Sequence, residues 1–179
     1  MKTFFSSIIF LAFISCGQTQ TGNKQKLDNW KTYENESFSI QYPPDWELDQ
    51  SGQVGTSFII FSPLESEQDG FRENINLIIQ DLEGKNIDLT KFASISVEQV
   101  NSMVTKVNII EKKRITEGKD DYYKIIYTGD QGIFHLEYEQ YYWVQQSKAF
   151  ILTFTGEQNK FSKFKKEGES ILNSFLIKK

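Results

Sequence analysis

The chain has 179 residues, a net charge of −4 and 15% aromatic residues, which is enough apolar material for one packed domain and too little charge for a disordered one. So mild an acidity gives no electrostatic footprint for nucleic acid. A single cysteine and a single histidine exclude an internal disulfide framework and any metal site built from several Cys or His ligands.

Lys2 opens the chain with a positive charge, and residues 4–14 follow as an apolar run broken only by Ser6 and Ser7. That length suits the core of a secretory signal and falls short of a bilayer core of about 30 Å. The run ends in Phe13-Ile14-Ser15-Cys16. This resembles the lipobox of bacterial lipoproteins: Ser15 is the small residue that cleavage needs, Phe13 stands where Leu is usual, and Cys16 is the only cysteine. The resemblance implies a signal peptide over 1–15 and a lipidated Cys16 as the first mature residue. Several acyl chains anchor firmly where one alone is marginal. Residues 17–27 have no aromatics and are mostly Gln, Thr, Gly, Asn and Lys, so 16–29 reads as the lipidated start and a flexible tether. Gly17 is not the Asp that retains enteric lipoproteins in the inner membrane. The resemblance therefore implies a cell-envelope address, at the outer membrane facing the periplasm where the cell has one.

Residues 30–179 read as one domain. Phe38, Ile40 and Tyr42 alternate with Ser39 and Gln41 in a strand stopped by Pro43-Pro44. A second strand is predicted over 56–61 and a third over 75–82. Between them, Glu65-Ser66-Glu67-Gln68-Asp69-Gly70 imitates the first half of a calcium loop. Arg72 and Asn76 then stand where such a loop needs an apolar residue and a bidentate Glu, so the segment 65–73 reads as an acidic surface loop. Asp88 is a good N-cap for a helix whose apolar stripe is Leu89, Phe92, Ala93, Val97, Val100 and Val104. Ile87 and Phe92 sit where a hydrophobic staple would need them.

A strand over 106–115 contains Lys112-Lys113-Arg114, which could touch anionic headgroups and which a solvated strand end explains equally well. Strands over 122–128 and 133–145 form a hairpin around Gly129-Asp130-Gln131-Gly132, and another follows over 149–155. A last helix carries Phe161, Phe164, Ile171, Leu172 and Phe175 on one stripe. Gly168 lies on that stripe, where a missing side chain allows close approach to the sheet. Several strands are apolar on both faces, so the sheet is expected to be covered on both sides, one helix per face.

Candidate chemistry is sparse. His135 alternates out of phase with Phe134 and Leu136, in line with Glu137 and Glu139. A His beside carboxylates can act as a general base, but no Ser or Cys nucleophile is near in sequence, and the row reads as a solvated strand face. In Tyr141-Tyr142-Trp143, Tyr142 points with the core face of its strand, and Tyr141 and Trp143 point the other way. They are candidate interface anchors, or else the second helix covers them, which a sheet covered on both faces favours. Tyr42 and Trp46, around Pro43-Pro44, carry the same two readings. No glycine-rich phosphate loop, nucleophile elbow or metal spacing is visible, so neither an enzyme nor a cofactor is expected.

The segment from Phe38 through Pro43-Pro44 to Trp46, a strand, a Tyr-Pro turn and a Trp, resembles the opening of PsbP-like proteins. Phe71-Arg72-Glu73-Asn74-Ile75-Asn76-Leu77 resembles the entry to their third strand. Asp88-Leu89-Thr90-Lys91-Phe92 resembles the start of their first long helix. The resemblance covers 30–179. It implies an α+β fold, an α/β/α sandwich around a central antiparallel sheet of about six or seven strands with two main helices. It brings no shared active site, and so implies that the domain binds or assists another envelope protein or complex. The aromatic content leaves a second reading open, a carrier of a small apolar ligand held between sheet and helix.

Overall fold

The computed structural model describes residues 29–117 and 120–178. The signal peptide, Cys16 and all of the expected tether except Asn29 lie outside the described residues. Ten strands and two helices follow in the order β1 (Lys31–Glu34), β2 (Phe38–Tyr42), β3 (Glu47–Asp49), β4 (Phe58–Phe61), β5 (Asn74–Asp81), α1 (Leu89–Met103), β6 (Thr105–Glu117), β7 (Asp120–Gln131), β8 (Phe134–Gln145), β9 (Lys148–Glu157), α2 (Phe161–Ser174) and β10 (Leu176–Ile177). The main sheet has seven strands in the order β3-β4-β5-β9-β8-β7-β6, and every neighbouring pair in it is antiparallel.

The alternation of the strands decides which face each side chain serves. Phe150, Leu152 and Phe154 of β9 join Phe58, Ile60, Ile75, Leu77 and Tyr141 in one core, closed by Phe161, Ile171 and Leu172 of α2. The opposite face carries Ile125, Tyr127, Tyr142 and Ala149 under Leu89, Phe92 and Ala93 of α1. Burying each such side chain contributes about 1.5–3 kcal/mol, and two independent stripes of them account for a sheet covered on both sides. The Asp88 cap is realised: its carboxylate accepts from the Lys91 amide at 2.8 Å.

Two expectations are corrected. The strand at Phe38–Tyr42 does not enter the main sheet. It forms a separate three-stranded sheet, β1-β2-β10, which packs Phe38, Ile40 and Tyr42 beside α2. The hairpin between β7 and β8 does not turn at Gly129. Strand pairing continues through Gly129↔Leu136 and Asp130↔His135 to Gln131↔Phe134, and the turn is Gly132-Ile133 with Gly132 at φ 62°. Gly129 stays in the strand because Val104 packs into the space a side chain there would take.

Pairing also sorts the connections to two ends. At one end lie the 62–73 loop, the end of α1, the Gly132-Ile133 turn and the step from β9 into α2, because Phe61 faces Asn74, Thr105 faces Asp130 and Leu136 faces Glu157. At the other lie the β3–β4 loop and the β8–β9 turn.

Candidate functional site

The densest charge cluster forms where the acidic loop meets the start of α2. Lys160 Nζ stands 2.6 Å from Glu157 Oε2, 2.8 Å from Asp69 Oδ1 and 3.4 Å from Glu65 Oε2. Lys163 also pairs with Glu65. Hydrogen bonds to Asp69 and Glu157 hold the Lys160 pKa above the ordinary lysine value. Of the three acids that imitate a calcium loop, Glu65 and Asp69 are thus met by lysines from the chain itself, while Glu67 is exposed. Among the described residues no three His, Cys, Asp or Glu side chains are placed to hold a metal ion.

Glu73, at the root of this loop, is fully buried, and neither carboxylate oxygen has a well-formed hydrogen bond. Burial raises its pKa, against the opposing pull of the Glu73 and Glu157 amides and the charge on Lys160. Gly156 makes room for it, since a Cβ there would lie 3.1 Å from Glu73 Cγ and 3.2 Å from the Phe161 ring.

His135 is exposed at the same end, its Nδ1 2.5 Å from Asp130 Oδ1, and Lys106 Nζ holds the other oxygen at 2.8 Å. The bonds from Lys106 and His135 lower the Asp130 pKa. A His–Asp pair orients an imidazole, yet among the described residues no Ser, Thr or Cys is hydrogen-bonded to this ring. The reading of His135, Glu137 and Glu139 as one solvated face holds for His135 alone. Glu139 is fully buried; its Oε1 receives Lys124 Nζ at 2.8 Å and Tyr141 Oη at 3.1 Å. Burial opposes the charge on Lys124, but the bond and charge of Glu139 outweigh it and leave its pKa raised. Glu137 is half-buried, its pKa raised by burial and opposed by Lys165 of α2.

The four candidate interface aromatics are core. Tyr42, Trp46 and Tyr141 are buried, and half-buried Trp143 packs 5.3 Å from the rings of Phe175 and Tyr122. Trp46 Nε1 donates to Glu167 Oε2 at 3.2 Å. The cause is the double cover on this face, where α2 and the small sheet take the surface that Tyr141 and Trp143 would otherwise present. In the basic run, Arg114 is tied to both Asp121 oxygens and to Thr90 of α1, while Lys112 and Lys113 are exposed. Sequence reasoning missed the exposed apolar residues Leu64, Met103 and Ile133. Their signal was modest: Met103 lies off the α1 stripe, and Ile133 follows the turn glycine.

The architecture defines an α+β sandwich whose aromatic residues are largely consumed by two cores. The chain belongs to the family described as PsbP-like protein, which matches residues 15–177. Three solved structures share the fold. Cyanobacterial PsbP (CyanoP) of Synechocystis matches at 15% identity and TM-score 0.59, over 92% of this chain and 98% of that one. LpqN of Mycobacterium tuberculosis matches at 13% identity and TM-score 0.61, over 84% and 91%. A Pseudomonas aeruginosa protein of unknown function matches at 10% identity and TM-score 0.59, over 84% and 98%. No curated protein matches. At such identities the likeness establishes the fold alone.

Proposed function

We propose that this chain is a lipid-anchored cell-envelope protein whose PsbP-like domain acts without catalysis, by binding or assisting another envelope protein or complex. The observation that carries the reading is the only cysteine, Cys16, standing at the end of a signal-like apolar run and directly after a small residue. Among the described residues no helix is long and apolar enough to cross a membrane, and on this reading Cys16 carries the attachment, at the outer membrane facing the periplasm where the cell has one. LpqN, which shares the fold, is described as involved in cell envelope biogenesis, in keeping with an envelope role here. The lack of a nucleophile bonded to His135 supports a non-catalytic domain. The carrier reading draws no support from the contact between α2 and the sheet, where the Phe154 ring lies 2.7 Å from the place a Gly168 Cβ would take.

Metabolic labelling with a fatty-acid analogue, followed by membrane fractionation, tests the anchor. The wild-type chain is expected to carry label and to sediment with membranes, and Cys16→Ala to lose both. An unlabelled wild type, or a membrane-bound Cys16→Ala variant, refutes it. Capture of the tagged chain from gently solubilised envelopes tests the partner: one stoichiometric companion supports the role, and none counts against it.

A further inference from the structure

Two buried carboxylates share one ammonium group where the 62–73 loop meets the start of α2. Glu73 is fully buried, with no well-formed hydrogen bond at either oxygen. The Asp69 side chain is 2% exposed, and its Oδ1 takes Lys160 Nζ at 2.8 Å. Ser62, whose amide donates to the Glu73 carbonyl at 2.8 Å, adds a further buried oxygen without a partner, its Oγ. The charged groups around Glu73 come from three elements. The loop supplies Asp69 and Glu65, and the step from β9 into α2 supplies Glu157, Lys160 and Lys163. Strand β8 supplies Glu137, which stands opposite Gly156. Lys163 pairs with Glu65, and Lys165 bears on Glu137 and Glu169. Lys160 is the cation whose charge acts on Glu73.

The same ammonium closes the loop. Lys160 Nζ ties Asp69 and Glu65 to Glu157 at the step into α2. Asp69 in turn organises the tip: its Oδ2 accepts the Glu65 amide at 3.0 Å, and its own amide donates to the Ser66 carbonyl at 3.2 Å. The far end of the loop is held separately, by Phe71 on Phe134 and by Arg72 on the Ser62 carbonyl and Glu47. With Glu73 neutral, the closed loop holds one buried carboxylate, Asp69, on its ammonium. With Glu73 charged, it holds two carboxylates on the same ammonium, and a buried charge without its own partner is costly. Opening the tip admits water to both.

We propose that Glu73 is a proton-operated latch for the tip of this loop, residues 64–69: protonated, it lets the tip close on Lys160, and ionised, it releases the tip to solvent. The closed state then binds the proton more tightly than the open one, in which Glu73 titrates near the ordinary carboxylate value of about 4.3. The opening equilibrium is constant below that value and rises by up to about tenfold per pH unit above it, until the closed state ionises as well. The latch needs no ligand, and it makes the surface offered by this end of the domain depend on proton activity.

Amide hydrogen exchange at Glu65 and Asp69, followed by NMR on the full chain from pH 4.5 to pH 8 and corrected for the intrinsic rate, reads the latch. Wild-type protection is expected to fall by tenfold or more across this range, and protection in Glu73→Gln to stay level. Asp69→Asn leaves Lys160 to Glu73 while keeping a side-chain oxygen for the Glu65 amide, so the fall at Glu65 should flatten there too; this variant decides the matter should Glu73→Gln fail to fold. Wild-type protection that does not change with pH overturns the proposal. A wild-type-like fall that persists in either variant assigns the effect to another group, such as His135, and overturns it as well.

Discussion

Replacing Gly168 with Ala tests whether α2 is seated on the sheet as closely as the coordinates place it. An ideal Cβ at this position lies 2.7 Å from two atoms of the Phe154 ring and 2.9 Å from a third. Ordinary carbon contacts begin near ~3.5 Å, so the helix and ring must separate by about 1 Å. Phe154 is fully buried and packs 4.8 Å from Phe161, the first residue of the same helix, so the ring cannot swing aside without displacing the start of α2. Overpacking a core costs about 1–3 kcal/mol, and this confined ring places the cost near the top of that range. Alanine returns about 1 kcal/mol of helix propensity relative to glycine. The net expectation is a loss of about 2 kcal/mol. Urea unfolding followed by tryptophan fluorescence reads it as a lower midpoint at unchanged slope. Adding Phe154→Leu should make the double variant more stable than the sum of the two single losses, since touching residues couple. A Gly168→Ala protein as stable as wild type, or more stable, refutes the close-approach argument.

Glu73→Gln should stabilise the protein at neutral pH by on the order of 1 kcal/mol, because a buried charge with no well-formed hydrogen bond costs more than a neutral amide. The folded carboxyl has a raised pKa, so wild type loses stability as pH rises above the unfolded carboxylate value of about 4.3. Below that value both states are protonated and the gain should vanish; an equal gain at pH 7 and below pH 4 refutes the assignment. Lys124→Met leaves Glu139 buried against Tyr141 alone and should cost about 3–5 kcal/mol in chemical denaturation. Lys124→Met with Glu139→Leu should recover most of that, and a double variant as unstable as the single one would show that the ion pair is not the cause.

What the sequence disclosed, and what it withheld, follows from the range of the interactions involved. α1 was legible because its determinants are local: the Asp88 carboxylate caps an amide three residues on, and its apolar stripe repeats within the helix. Strands β5, β7, β8 and β9 were legible because each alternates over many residues. Strands β1, β3 and β10 hold four, three and two residues, too few for a period, and exist through their partners. Alternation in β2 correctly named Phe38, Ile40 and Tyr42 as inward-facing, but it carries no information on which sheet they join. The acidic loop was legible as acidic, yet its cation is Lys160, 91 residues from Asp69. Glu139 misled for the same reason. Its place in an alternating strand marks it as the polar partner of Leu136 and Tyr142, and only the register that brings Lys124 beside Tyr141 supplies the charge that permits its burial.

The double cover also explains why the aromatic residues were poor guides to recognition. An exposed Tyr or Trp on a one-sided sheet is a natural binding anchor, but α2 together with the β1-β2-β10 sheet occupies the face of Tyr141 and Trp143, and α1 occupies the face of Tyr142. Large side chains are thereby spent on two cores. On the proposed reading, recognition by this domain falls to its ends and to the outer edge, β6, which is long but blunted by a register shift between Ile109 and Glu111 and by exposed Lys112 and Lys113. Bulges and charges of that kind discourage strand addition. The end bearing Leu64, Met103 and Ile133 exposes three apolar side chains from separate connections, which is why a contact made there is directly open to experiment.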